Sequence, residues 1–416
     1  MTLTALLPGR WIPVPSRLEP LIQIDHAAEV APAEVGLPAA RVQAIWQATE
    51  RLYRTGIHPA ISLTLRHRGQ RVLKRTIGAL SGNGPGEQGP VVPLPVDAPL
   101  CLFSASKAIT GLLLHKQVEL GRLRLDDPVA EYLPAFATHG KGRVTLRQLM
   151  AHRAGIPQLP LRHPDPTLLR HWDAVVDLLC ATPPLDPRFE KQAYHAITAG
   201  FIVGEVVQRV SGLSLREALD QYLARPLGLK TLSYGLPAAR RAGSPRNHRT
   251  GPTPFWPLTR LAEHALGVSF DRATEVSNED GFLSAVVPAG NLYASADEAC
   301  MIFQMLLNGG ELDGVRVFQP ETVADALRPI GRIQSDGMLL VPIRFSAGFM
   351  LGEDPVGLYG PRCGSAFGHL GFINILCWAD PRRDLSVALL NTGKSMSPAG
   401  LYRLARLLGE IGQIGR

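Results

Sequence analysis

Phe103-Ser104-Ala105-Ser106-Lys107-Ala108-Ile109-Thr110 is the stretch on which the reading of this 416-residue chain turns. A loop rich in Gly and Pro over 82–99 precedes it. Apolar Ile109, Leu112, Leu113 and Val118 follow at helical spacing, so a helix is expected to begin here. Ser104 and Lys107 lie three residues apart and share a face of its first turn. A serine hydroxyl is a poor nucleophile until a neighbour takes its proton. A lysine can do this only when partly neutral, a state promoted by burial and nearby positive charge. The helix N-terminus adds positive potential and a backbone N–H for a developing oxyanion. Taken by itself Ser-x-x-Lys is a weak motif, because a serine N-cap followed by a solvated lysine has the same letters.

Outward from this point the chain changes character on both sides. Upstream, 38–55 spaces Val42, Ile45, Trp46, Ala48 and Leu52 as a helix that Gly56 stops. Ala60–Arg66 and Arg71–Ile77 then read as two strands of a hairpin, joined through His67-Arg68-Gly69-Gln70. Downstream, the pattern is mostly helical to about 280, interrupted by an aperiodic stretch over 240–258 that reads as a long loop. After 340, Phe345–Leu351, Phe372–Ala379 and Leu385–Leu390 read as strands, and Pro398–Ile411 closes the chain as a helix. The expected fold is α+β: an antiparallel sheet assembled from both chain ends and flanked by helices, with a mostly helical domain inserted. The domains are 1–105 plus 285–416, and 106–284, with the site in the cleft between them.

Composition removes several alternatives. Hydrophobic residues are 45% and charged residues 19% of the chain, enough for a sizeable core. The net charge of +7 comes from 36 Arg and 7 Lys. They are scattered, with no basic stripe interleaved with aromatics, so no nucleic-acid partner is expected. Cys101, Cys180, Cys300, Cys363 and Cys377 lie far apart, with no CxxC or Cys/His ligand spacing. Reduced thiols, a cytoplasmic setting and no metal are the expectation. Met1–Pro20 holds a short apolar patch broken by prolines, which reads as neither a signal peptide nor a membrane span.

Further segments carry a resemblance. They are Gly121-Arg-Leu-Arg-Leu-Asp-Asp-Pro-Val129 with Tyr132-Leu-Pro134, Val144-Thr-Leu-Arg-Gln-Leu-Met-Ala-His-Arg-Ala-Gly-Ile-Pro157, Gly290-Asn-Leu-Tyr-Ala-Ser-Ala-Asp-Glu298, Leu306-Leu-Asn-Gly-Gly310 and Phe367-Gly-His-Leu-Gly-Phe372. In order and spacing the chain resembles the serine β-lactamase superfamily, and within it the class C β-lactamase-like group that includes family VIII carboxylesterases. The likeness spans residues 40 to 400.

What the resemblance implies is a set of roles. Ser104 is the nucleophile and Lys107 its base. Tyr194, in Tyr194-His195-Ala196 where the family usually has Tyr-x-Asn, is the proton-shuttling tyrosine. His369-Leu370-Gly371 stands where β-lactamases have Lys-Thr-Gly and should begin an edge strand lining the site, its glycine letting substrate approach the backbone. The amides of Ser104 and Phe372 would form the oxyanion hole. Asn391-Thr392-Gly393-Lys394 has the letters of Lys-Thr-Gly in another order and reads as a turn. His152 reads as structural, His195 is a candidate substrate contact, and Phe255 and Trp256 are candidates for the pocket roof. No cofactor is implied, and the partner is a small-molecule ester. Ala196 and Leu370 replace an amide donor and a hydroxyl that hold a β-lactam's polar groups. The expected activity is therefore carboxylester hydrolysis on short or medium-chain esters, through an acyl-enzyme. β-Lactamase, D-amino-acid peptidase or amidase, and acyltransferase are the alternatives of the same fold; a catalytically silent binding member is the alternative outside enzymes.

Overall fold

Two stretches far apart in sequence build one sheet. The computed structural model describes residues 9–161, 165–241, 243–253 and 256–415, except the side chains of 256–258, 261 and 262. From the N-terminal part come β1 (Ile22–Ile24), α1 (Ala39–Tyr53), β2 (Ala60–His67) and β3 (Gln70–Ser81). From the C-terminal part come β4 (Ile330–Ser335), β5 (Pro342–Phe345), β6 (Met350–Leu351), β7 (Phe367–Gly371), β8 (Ile375–Asp380) and β9 (Leu385–Asn391). Their order is β4-β5-β6-β7-β8-β9-β2-β3-β1, and every neighbouring pair is antiparallel. The two chain ends meet at β9 and β2, in register from Leu385 opposite His67 to Asn391 opposite Ile61. The β2–β3 turn is Arg68-Gly69, both at positive φ, so the hairpin loop is two residues shorter than the sequence suggests.

The period of two explains why these strands are buried on both faces. Leu376 and Trp378 of β8, with Val387 and Leu389 of β9, join Ile61, Leu63 and Leu65 in one core against α1 and the closing helix, Pro398–Ile411. Ile375, Cys377, Ala379, Ala388 and Leu390 point the other way. There they meet the helices α2 (Ser106–Glu119), α3 (Thr198–Ser211) and a helix at Ala296–Leu307. α2 is buried almost all round, which is why it lacks an amphipathic stripe and holds Lys107 in the interior.

Several expectations are corrected. The span Phe372–Ala379 is not one strand: Phe372 and Ile373 adopt positive φ (26° and 77°), and β8 starts at Ile375. His369-Leu370-Gly371 ends β7 rather than beginning a strand, and β7 lies inside the sheet. The edge survives locally, because β6 pairs only with Phe367 and Gly368. The stretch 240–258 is not all loop. His248–Arg249 and Gly251–Pro252 make short bridges, and Trp256 opens α4 (Trp256–Leu266), followed by α5 (Phe270–Val276). Asn391–Lys394 is not a turn either. Gly393–Lys394 runs on as a bridge parallel to His248–Arg249. This path requires Gly393, since a Cβ there would lie 1.8 Å from the Ile57 carbonyl oxygen.

Candidate active site

Ser104 sits in a single 3-10 turn, Phe103–Ala105, that leads directly into α2. Lys107 is in the first turn of α2, so the pair share a face as the spacing requires. Lys107 Nζ lies 3.1 Å from Ser104 Oγ, 2.7 Å from the Ala196 carbonyl oxygen and 3.1 Å from that of Ala289. Burial holds the Lys107 amine well below the ordinary lysine range. A neutral amine has two N–H donors and one lone pair. The two carbonyls can only accept, so both N–H groups go to them and the lone pair is left facing the Ser104 hydroxyl. In this arrangement a neutral Lys107 can accept the Ser104 proton.

Tyr194 is buried beside Ser104, close enough for the Ser104 hydroxyl to act on its phenol. Burial pushes that phenol well above its ordinary value, so it stays protonated. Lys107 Nζ is 4.8 Å from the Tyr194 ring centroid. Two contacts support Tyr194. Its backbone N–H donates to Asp336 Oδ1 at 3.0 Å, and the same oxygen accepts from Met338 and Leu339, tying Tyr194 to the start of the sheet's outer turn. The His152 ring lies 4.7 Å from the Tyr194 ring, and His152 Nδ1 accepts from the His195 amide. The structural reading of His152 fits this placement.

His195 does not contact substrate space. It is fully buried, its Nε2 accepts from the Ile156 amide at 3.2 Å and its Nδ1 bonds the Ala193 carbonyl at 2.7 Å. Both ring nitrogens are spent on backbone, and burial lowers its pKa to about 4, so it braces the Tyr194 loop as a neutral ring. His369 is also buried rather than lining the cavity. Its Nδ1 bonds the Leu370 carbonyl at 2.7 Å, and burial, with Lys107 nearby, lowers its pKa to about 3. Leu370 and Phe372 do line the cavity. Phe255 and the Trp256 side chain lie outside the described residues.

The end of β7 makes one close approach to the start of α2. A Cβ on Gly371 would lie 2.1 Å from the Leu102 carbonyl oxygen, so the end of β7 packs directly on the backbone that precedes Phe103-Ser104. Phe372 follows this contact as Phe103 and Ser104 follow Leu102, and the rings of Phe103 and Phe372 touch at 5.0 Å between centroids. Above them opens a cavity of about 490 Å³ whose walls are mainly Leu159, Leu169, Ile197, Phe270, Val341 and Ile343. Asp165 is the one charged side chain among the described residues lining it. Bonds from Thr167 hold its carboxyl below the usual range, so it is an anion. No three His, Cys, Asp or Glu side chains gather as a metal site would need, among the described residues.

A serine, a neutral lysine and a protonated tyrosine around one hydroxyl can be set beside known proteins. The Beta-lactamase family model matches residues 46–410. The chain belongs to this family. As a member of it, the protein is a serine hydrolase. It is 31% identical over 335 residues to Esterase/beta-lactamase LipL of Mycobacterium tuberculosis, covering 76% of each chain. Among solved structures, a penicillin-binding protein homolog from Caulobacter crescentus superposes with a TM-score of 0.77 at 28% identity, covering 90% of this chain and 97% of that one. A family VIII carboxylesterase gives 0.75 at 26% identity, covering 90% and 98%. The β-lactamase-family fold thus accounts for nearly the whole chain.

Proposed function

We propose that this protein is a carboxylesterase that hydrolyses neutral, apolar esters through an acyl-enzyme on Ser104. The observation that carries the reading is the convergence of Ser104, Lys107 and Tyr194 at the floor of a cavity with apolar walls. Lys107 takes the Ser104 proton as Oγ attacks the ester carbonyl, and the amides of Ser104 and Phe372 hold the oxyanion. Tyr194 gives a proton to the departing alkoxide. It draws on Lys107 for replacement, and the same pair activates the water that releases the acid. Esterases among the relatives support the substrate class, and so does the wall: Ala196 and Leu370 face the cavity where a β-lactam's polar groups would need partners. The sheet from both chain ends and the helical stretch between them would then act as two domains around this cleft. Five buried, unpaired cysteines support a cytoplasmic setting, and among the described residues no helix is long and apolar enough to cross a membrane.

The name of the tuberculosis relative favours a second reading, β-lactam hydrolysis. Each missing polar partner is worth roughly 1–3 kcal/mol. Two together lower kcat/KM by roughly one to four powers of ten. Asp165 at the wall repels a carboxylate further. A panel of p-nitrophenyl butyrate, the matching anilide and nitrocefin separates the readings. The butyrate should lead by at least about tenfold in kcat/KM; nitrocefin equal to it would move the protein to the β-lactamases.

A further inference from the structure

Behind the oxyanion arm lies a second buried lysine that the mechanism above does not use. Lys394 is fully buried, and no carboxylate lies within ion-pair distance of it among the described residues. Its Nζ donates to the Asn391 carbonyl at 2.9 Å and to Asn391 Oδ1 at 3.3 Å, and sits 4.7 Å from the centroid of the Phe103 ring. Burying an amine without an anion is costly, and a methionine would fill the same space without that cost. The groups facing it offer no compensating charge. His58 is fully buried beside Gly393, and burial and Lys394 lower its pKa to about 3. Cys101 is a thiol that burial pushes up to about 12, and the Tyr293 phenol beside it is raised too. Arg249, opposite Lys394 on the neighbouring bridge, already pairs with Asp271.

What Lys394 does touch leads to both halves of the oxyanion hole. Asn391 Nδ2 donates to the Asn374 carbonyl at 2.7 Å, and the Asn374 amide donates to the Phe372 carbonyl at 3.2 Å. That chain closes the turn in which Phe372 and Ile373 hold positive φ, a conformation that bulky side chains resist and that its surroundings must enforce. On the other side, Phe103 is itself at φ 46°, immediately before Ser104, and its ring lies between Lys394 and Phe372. We propose that Lys394 is a positioning residue for the oxyanion hole, holding the Phe372 turn through Asn391 and Asn374 and the Ser104 turn through the ring of Phe103. Burial lowers its pKa to about 7, so it carries its charge below neutrality and loses it above.

This inference rests on the acyl-enzyme reading and is tested separately from it. The variant Lys394→Met keeps the volume and removes the donors. Its kcat on p-nitrophenyl butyrate should fall about tenfold to a hundredfold with KM within roughly twofold. In the acyl-enzyme made from carbonyl-labelled substrate and trapped at low pH, the ester carbonyl band should move to higher wavenumber, because the hole polarises it less. The variant Asn391→Asp keeps an acceptor for Lys394 but loses the bond to Asn374; it should show the same losses and decides the matter if Lys394→Met does not fold. Unchanged kcat and an unmoved carbonyl band, with only a lower melting temperature, would overturn the proposal. Wild-type enzyme that is never acylated by the ester would instead sink the reading on which it rests.

Discussion

Replacing Gly371 by alanine tests how tightly the oxyanion arm is set. The new Cβ would lie 2.1 Å from the Leu102 carbonyl oxygen, and on the other side Ile375 Cγ2 stands at 3.2 Å. Neither neighbour is the end of a long, flexible side chain, and Gly371 is held in register opposite Ile375. The backbone must therefore open by roughly 1 Å to reach normal contact, carrying the Phe372 amide away from Ser104. A displacement of that size at a catalytic group costs about a hundredfold, equivalent to about 2.7 kcal/mol. The assay is kcat/KM on p-nitrophenyl butyrate, with the thermal midpoint as a control for folding. KM should change little, because the walls that bind the ester are untouched. A folded Gly371→Ala enzyme within about threefold of wild type would refute the placement of the oxyanion hole.

Two further outcomes follow from the proton relay. Lys107→Ala and Tyr194→Phe should each lose about a hundredfold or more, and the double variant should be little worse than either, because they serve one proton; additive losses in that cycle would separate them. The pH profile has a defined sign. Lys107 must be neutral to act, and burial holds its pKa well below the lysine value of 10.5, so kcat/KM should rise with pH and complete its rise below that value. The raised Tyr194 phenol stays protonated and imposes no loss over the same window, so a fall in kcat/KM with rising pH that Tyr194→Phe abolishes would contradict its role as donor.

Much of this was legible in the sequence because the signals are local. Three-residue spacing put Ser104 and Lys107 together, period-two patterning found β2, β3 and β9, and the closing helix ends at Ile411 as its apolar spacing indicates. What was not legible depends on contacts across long separations. Whether His195 faces the cleft is decided by the amide of Ile156 and the carbonyl of Ala193, which no spacing reveals. The same holds for Asp336, which is distant from Tyr194 in sequence and meets it only through a backbone N–H. Phe372 looked like strand because an aromatic followed by Ile and Leu has β character; tertiary packing on Phe103 and Phe270 overrides it with a left-handed turn. The letters around Lys394 suggest a turn, and lysine gives no sequence sign of the burial found here.

The central claim is that Ser104 becomes covalently acylated during turnover. Mixing the enzyme with p-nitrophenyl butyrate, quenching in acid during the first turnovers and measuring the intact mass tests it directly. The account predicts the mass increment of one butyryl group, located by digestion to the peptide bearing Ser104, and neither adduct nor turnover in Ser104→Ala. Hydrolysis that persists in Ser104→Ala, or a butyryl group found on another residue, would contradict it.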